Sequence, residues 1–331
     1  MPKSVFEKAK VLVLALLITF SITAPALISP VQAAPTVPST NNYPFTHDPD
    51  FNTNNPNCWQ VGLIGPYPRQ SQNLPEGYWY PNTAFDSAWF PNNYAIVGGD
   101  GKATLHAYST YDLLWGGRGW ANAFVHQGSP VYTGVYEGRF KAGQTSSSAI
   151  PVDGIRYPIN TQEPTGKTYL TIRARLTQNN LYCWQSNNGL LISFIFQYEF
   201  QDGSLSQYSS PPFTNDRQSL HVDLFIHRDF KFVNVPGSLP VGWSFTQGDA
   251  YNSDAHMQYV YNSHMNVGQW YTFTIDYGDF INNVKARALS WLPQYYGFTP
   301  SALILKYIQI SAETIGGEIG AEIDYLIFTT T

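Results

Sequence analysis

Apolar and polar residues alternate with a period of two through much of the second half of this chain. That repeat sends successive side chains to opposite faces of a strand. In "LLISFIFQYEF", Phe194, Phe196, Tyr198 and Phe200 share one face, and Ser193, Ile195, Gln197 and Glu199 share the other. In "SLHVDLFIH", Leu220, Val222, Leu224 and Ile226 oppose Ser219, His221, Asp223, Phe225 and His227. In "QWYTFTIDY", Tyr271, Phe273, Ile275 and Tyr277 oppose Trp270, Thr272, Thr274 and Asp276. Further strands are expected in "NYAIVGG", "KATLHAY", "GVYEGRF" and "TYLTIRARL", set apart by Gly, Asn and Pro turns, and no stretch shows a convincing helical period. The expected fold is all-β: a β-jelly-roll sandwich of two curved antiparallel sheets. Outward Gln, Glu, His, Asp and Trp would floor a concave substrate groove.

The last two strands sharpen the picture. From 304 to 313, Leu305, Tyr307, Gln309, Ser311 and Glu313 share a face; from 318 to 328, Ile319, Ala321, Ile323, Tyr325 and Ile327 oppose Glu318, Gly320, Glu322 and Asp324. Between them "TIGG" predicts a tight hairpin turn. In that register Glu313 faces Glu318, and every acid lies on one face. Only 23 of 331 residues are Asp or Glu, so four within twelve positions point to a charged cleft.

Composition adds a compartment. "MPKSVFEKAK", an apolar run and the A-x-A-like "VQA" predict a signal peptide over residues 1–34, hence a secreted, extracellular product with no membrane contact after cleavage. Residues 35–57, rich in Pro, Asn and Thr, read as an N-terminal tether, which leaves 58–331 as a single β-jelly-roll domain. Charged residues make up 12% of the chain, about half the usual ~25%. With a net charge of −5 there is no basic footprint for nucleic acid. So sparse a charge set argues against ion-pair thermostability and suggests acidic surroundings. The two cysteines, Cys58 and Cys183, are expected to form one disulfide in an exported chain.

The run "KTYLTIRARL", "LLISFIFQYEF", "QSLHVDLFIHRD", "IDYGDFI…ALSWLP" and "LILKYIQISAETIGG…AEIDYLIF", residues 168 to 328, resembles glycoside hydrolase family 12. These are concanavalin-like β-jelly-roll endo-β-glucanases and xyloglucanases. The resemblance implies two carboxylates: one protonates the leaving oxygen while the other attacks or activates water. It places the acid at Glu313 in "QISAETIGG", where a like-charged Glu318 would raise its pKa. The nucleophile position falls on His221, or on Ser219 in a register shifted by two, and neither is a carboxylate. Asp223 or Glu199 is then the expected base of an inverting reaction, and Gln197 stands where the family has a helper acid.

Trp115, Trp120 and Trp270 are candidates for stacking on sugar rings. His221, Asp223 and His227 have the residue types of a metal site but span too much strand for one ion, so no metal or cofactor is expected. The sequence therefore predicts a monomeric, secreted protein acting on a β-glucan-like polysaccharide. The catalytic candidates are Glu313, Asp223 and Glu199. Substrate is expected to be bound by Gln197, His221, Trp115, Trp120, Trp270 and Glu318. Two other readings stay open: a non-catalytic carbohydrate-binding or surface β-sandwich, and an acid glutamic-type peptidase pairing Gln197 with Glu313.

Overall fold

A computed structural model of the chain describes residues 50–51, 59–64, 78–80, 84–86, 92–98, 101–109, 120–128, 154–182, 186–206, 219–232, 235–238, 241–246 and 255–331. All lie in the compact unit Thr40–Thr331. The expected leader, most of the tether, Trp115, Cys58 and Cys183 fall outside the described residues. Among the described residues no helix is long and apolar enough to cross a membrane.

The strands are β1 (Gln60–Ile64), β2 (Tyr78–Tyr80), β3 (Ala84–Asp86), β4 (Tyr94–Gly98), β5 (Lys102–Tyr108), β6 (Trp120–Gly128), β7 (Ile155–Pro158), β8 (Thr168–Leu181), β9 (Ser186–Glu199), β10 (Ser219–Phe232), β11 (Val235–Ser238), β12 (Gly242–Thr246), β13 (Ala255–Val260), β14 (Trp270–Asp276), β15 (Ala302–Ile315) and β16 (Gly317–Thr330). They form two sheets. The first runs β12-β13-β10-β9-β15-β6-β1-β2, with β11 on β10 and β7 on β15; the second runs β14-β8-β16-β5-β4-β3. Phe194, Leu220, Val222, Ile308 and Ile310 of the first sheet join Leu170, Ile172, Ile319 and Ile323 of the second in one buried core. This is the expected all-β sandwich. It departs from purely antiparallel pairing at one place, where β13 runs parallel to β10.

A helix, α1 (Tyr277–Tyr296), was not anticipated. Its residues Phe280, Ile281, Val284, Ala288 and Leu292 repeat at helical spacing and are buried, with Phe194 and Trp243 against Phe280. Asp276 caps it by accepting from the Asp279 N–H (3.1 Å), and Gly297, with φ of 70°, ends it. Lys285 is buried on the same face, satisfied by the Thr161 carbonyl (2.7 Å), the Pro158 carbonyl (3.3 Å) and Glu163 (2.8 Å). The signal was present in "DYGDFINNVKARAL"; the aromatic, strand-like flanks and Pro293 obscured it.

The C-terminal hairpin is a correction. Strand β15 pairs with β9, β6 and β7, whereas β16 pairs with β5 and β8, and the two do not pair with each other. At Gly316 (φ 63°) the chain crosses from one sheet to the other. Asn188 clips the crossing. Its Oδ1 accepts from Thr314 Oγ1 (2.6 Å) while its Nδ2 donates to the carbonyls of Glu318 (2.9 Å) and Asn180 (3.1 Å). A Cβ on Gly317 would meet the Asn180 carbonyl at 2.5 Å, so this approach needs glycine. Glu313 is consequently on one side of the sandwich, and Glu318, Glu322 and Asp324 are on the other.

Candidate functional site

On the outer face of the first sheet the register builds straight rows across the strands. One row runs Gln60, His126, Gln309, Ser193, Asp223, Gln258 and Ser244, a polar residue from each of seven strands. The row beside it holds Phe124, Ser311, Leu191, Phe225 and Val260, of which Leu191, Phe225 and Val260 pack as a separate apolar cluster. The next row is Asn122, Glu313, Gly189 and Arg228. The pleat predicted for β9 and for 307–313 of β15 therefore holds. Tyr307, Gln309 and Ser311 link in sequence, Tyr307 Oη donating to Gln309 Oε1 (2.7 Å) and Gln309 Nε2 to Ser311 Oγ (2.5 Å). His126 stacks on Tyr307 at 4.9 Å. Burial lowers the His126 pKa well below its usual value, so its ring is neutral.

Gly189 explains how the Glu313 row is assembled. With no side chain there, the Phe225 ring lies against the backbone; a Cβ would meet it at 2.8 Å. The Arg228 guanidinium stacks on that ring at 4.1 Å, and its NH1 donates to Gln258 Oε1 (2.8 Å). Burial lowers the Arg228 pKa, and the charges of Glu313 and Asp223 act in the opposite sense. Arg228 is thus a largely buried cation shared by two carboxylates. Sequence reading passed over it because the β10 pattern appeared to end at His227. Asn122 Oδ1 and Arg228 Nε are buried without a hydrogen-bond partner among the described residues. One free acceptor and one free donor therefore lie on the row of Glu313, an arrangement that suits a hydroxyl.

The second carboxylate is not close. Asp223 is four residues along β9 from the partner of Glu313 and two strands away, about 16 Å between Cα atoms by strand rise and spacing. Its carboxylate takes a hydrogen bond from Ser193 Oγ on its own row (2.7 Å). Glu199 is ten residues along β9 from that same partner, about 33 Å. It is also held by Arg156 through two bonds (2.6 and 2.8 Å), which lower its pKa, and by Ser301 (3.1 Å). His221, at the expected nucleophile position, shares a row with Ile195 and Tyr307 and stacks on His256 at 4.7 Å. Gln197 shares the outer face but donates to the Ser206 carbonyl (2.8 Å).

Three other candidates separate from Glu313. Trp270 belongs to β14 and lies on the outer face of the second sheet, beneath Arg173 (4.6 Å) and Arg175 (4.9 Å). Glu318 is on that second sheet too, held by His106 (3.1 Å), Asn180 (3.1 Å) and the Tyr182 hydroxyl, so it is not the like-charged neighbour expected for Glu313. Trp120 opens β6 opposite Ile315.

His227 also moves. A bulge between Phe225 and His227 turns it inward, fully buried, away from His221 and Asp223. There it meets Asp229 and His264, whose ligand atoms lie within 4.8 Å of one another, a geometry open to a metal. The hydrogen bonding argues for a proton instead. His227 Nδ1 accepts from the Met265 N–H (3.1 Å), so in the neutral ring Nε2 carries the hydrogen, 3.6 Å from Asp229, and has no lone pair for an ion.

No protein-family model matches the chain, and no curated protein matches it. Solved structures do share an arrangement of strands with it. An endoglucanase, Cel12A from Rhodothermus marinus, is 14% identical over 75% of this chain and 96% of its own, with a TM-score of 0.37. A family 12 xyloglucanase from Bacillus licheniformis is 10% identical over 75% and 97%, with a TM-score of 0.32. A family 11 xylanase from Neocallimastix patriciarum is 12% identical over 77% and 90%, also at 0.32. Two of these names carry the family number that the sequence resembles. At such identity and overlap, activity does not transfer from them to this chain.

Proposed function

We propose that this chain is an exported protein that binds a β-glucan-like polysaccharide along the outer face of its first sheet without cleaving it. The observation that carries the reading is the Glu313 row itself. It offers a carboxylate, a free amide oxygen on Asn122 and a free N–H on Arg228, with no second carboxylate on that row or the next among the described residues. Planar polar side chains in ranks beside an apolar row suit hydroxyl-rich, ring-shaped ligands. The sequence resemblance to family 12 supplies the sugar class. Hydrolysis needs an acid and a base within roughly 5–10 Å of each other. Glu313 has beside it a cation that favours its ionised form, the opposite of what a general acid needs.

The test is retention on insoluble β-glucan beside reducing-sugar release from soluble glucans, xyloglucan and xylan, for the wild type and Glu313→Gln. Retention without release, weakened in the variant, is the expected result. Sugar release that vanishes in Glu313→Gln would replace this reading with a hydrolase. Neither retention nor release would remove polysaccharide from the account.

A further inference from the structure

The segment 261–269 leaves β13 and is fastened to the bulge of β10. The N–H groups of Tyr261 and Asn262 both donate to the Phe225 carbonyl (2.9 and 3.3 Å), and Asn262 Nδ2 donates to the Ile226 carbonyl (3.0 Å). The Arg228 N–H donates to the Ser263 carbonyl (3.4 Å), and the Met265 N–H to His227 Nδ1 (3.1 Å). Further along, the Gly268 N–H donates to the Leu176 carbonyl on β8 (2.7 Å). The segment therefore ties the first sheet to the second at the place where Phe225 and Arg228 are set.

All but one of these bonds end on a carbonyl oxygen, which does not titrate. The exception ends on the lone pair of a histidine nitrogen. A proton at His227 Nδ1 removes that acceptor and sets one N–H against another. Because the ring is fully buried, water cannot take over either group. The titratable groups facing it are Asp229, whose Oδ2 is 3.6 Å from Nε2, and His264, with ring centroids 5.9 Å apart. Asp229 is itself held by Asn179 of β8 (2.8 Å) and His264 Nδ1 (3.2 Å).

We infer that segment 261–269 is an acid-released clasp: protonation of His227 expels the Met265 amide and loosens the segment from the bulge that positions Arg228. The inference does not depend on what the outer face binds. Burial lowers the His227 pKa to about 4; Asp229 opposes the fall, and His264 adds to it. Release thus belongs to strongly acidic conditions. His227→Asn is the informative variant, because an asparagine Oδ1 can stand close to the place of Nδ1 as an acceptor and takes no proton.

The experiment is a histidine imidazole nitrogen titration of the full chain from pH 7 to pH 3, with amide exchange at Met265 followed in the same samples. The expected result is an Nε2–H tautomer for His227 at pH 7 and a midpoint near 4. Met265 protection should fall about tenfold or more across that midpoint, once corrected for intrinsic exchange. In His227→Asn that protection should stay level. An Nδ1–H tautomer at pH 7, a midpoint near the ordinary 6.5, or unchanged Met265 protection down to pH 3 would overturn the clasp. Added zinc that displaces the His227 proton at pH 7 would overturn it as well, in favour of a metal site. Should His227→Asn fail to fold, the wild-type tautomer and midpoint decide alone.

Discussion

The two outer faces of the sandwich use charge in opposite ways. On the second sheet the acids are numerous and matched. Asp324 meets Arg173, Glu322 meets Arg175 (2.7 Å) and Lys102 (3.8 Å), and Glu318 meets His106 (3.1 Å). On the first sheet the charges are few. Glu313 and Asp223 share Arg228, and two polar atoms beside them have no partner. A crowd of acids that neutralises itself is a cross-strand device holding neighbouring strands together. A small group with unspent donors and acceptors is where a ligand gains free energy by arriving. The density of acids near the C-terminus pointed to the right stretch of chain, but only one of the four belongs to the candidate site.

Arg228→Met tests the contrast most severely. It keeps the packing on Phe225 and leaves Glu313 and Asp223 without their shared cation. The expected cost is about 3–5 kcal/mol, as for a buried pair broken on one side, read from the urea midpoint at pH 7. Retention on glucan should be lost with it. The double variant Arg228→Met with Glu313→Gln should recover part of the stability and none of the retention. Recovery of both would mean that Arg228 serves the fold alone.

His227→Asn comes next and separates the clasp from either face. In the unfolded chain this histidine takes up a proton near its ordinary 6.5; in the folded chain it does so only near 4. Between those values the unfolded state binds more protons, so stability falls as pH drops from 6.5 to 4 and levels off below. The loss is about 3 kcal/mol. Denaturation of wild type and variant at pH 7 and pH 4 should show their stability difference moving by that amount in favour of the variant. A difference that stays constant with pH would show that His227 does not titrate in this way.

What the sequence made legible follows from range. The pleat of β9 and of 307–313, and the inward faces of β8 and β10, are properties of neighbouring residues, so period-two reading captured them. The hairpin failed because whether two consecutive strands pair or part is decided by other strands. Here β9 and β6 took both edges of β15, and Asn188 fixed the crossing. A bulge reversed His227, and a second in β16, between Ile323 and Tyr325, buried Leu326 and Phe328 in place of Tyr325 and Ile327. Each bulge adds one unpaired residue and flips every face beyond it, without a mark in the hydrophobic pattern. Trp270 was assigned to the groove because its strand looks like the others; only pairing shows that β14 belongs to the second sheet. Arg228 and Asn122 were missed because neither forms a motif: they meet Glu313 across strands far apart in sequence.

Gly189→Ala probes the floor of the site without touching a charge. Its Cβ would meet the Phe225 ring at 2.8 Å, so the ring and the guanidinium stacked on it have to move. An overpacked core position costs about 1–3 kcal/mol, and glucan retention should weaken together with the melting temperature. A variant that loses stability but keeps full retention would mean that the position of Arg228 is not what the ligand reads.

Arg175→Gln on the second sheet should do least, and that is its value. Its side chain is 31% exposed, and Glu322 keeps Lys102 when Arg175 is gone. A solvent-screened pair of this kind is worth at most about 1 kcal/mol. The change should therefore be small at low salt and smaller still at high salt. Retention on glucan should equal that of the wild type, because Arg175 and the Trp270 ring beneath it are on the far side of the sandwich from Glu313. If Arg175→Gln weakened retention as much as Glu313→Gln does, the face crowded with matched acids would be the one that meets the polysaccharide. Trp270 would then be its stacking platform, and the present assignment of the two faces would have to be exchanged.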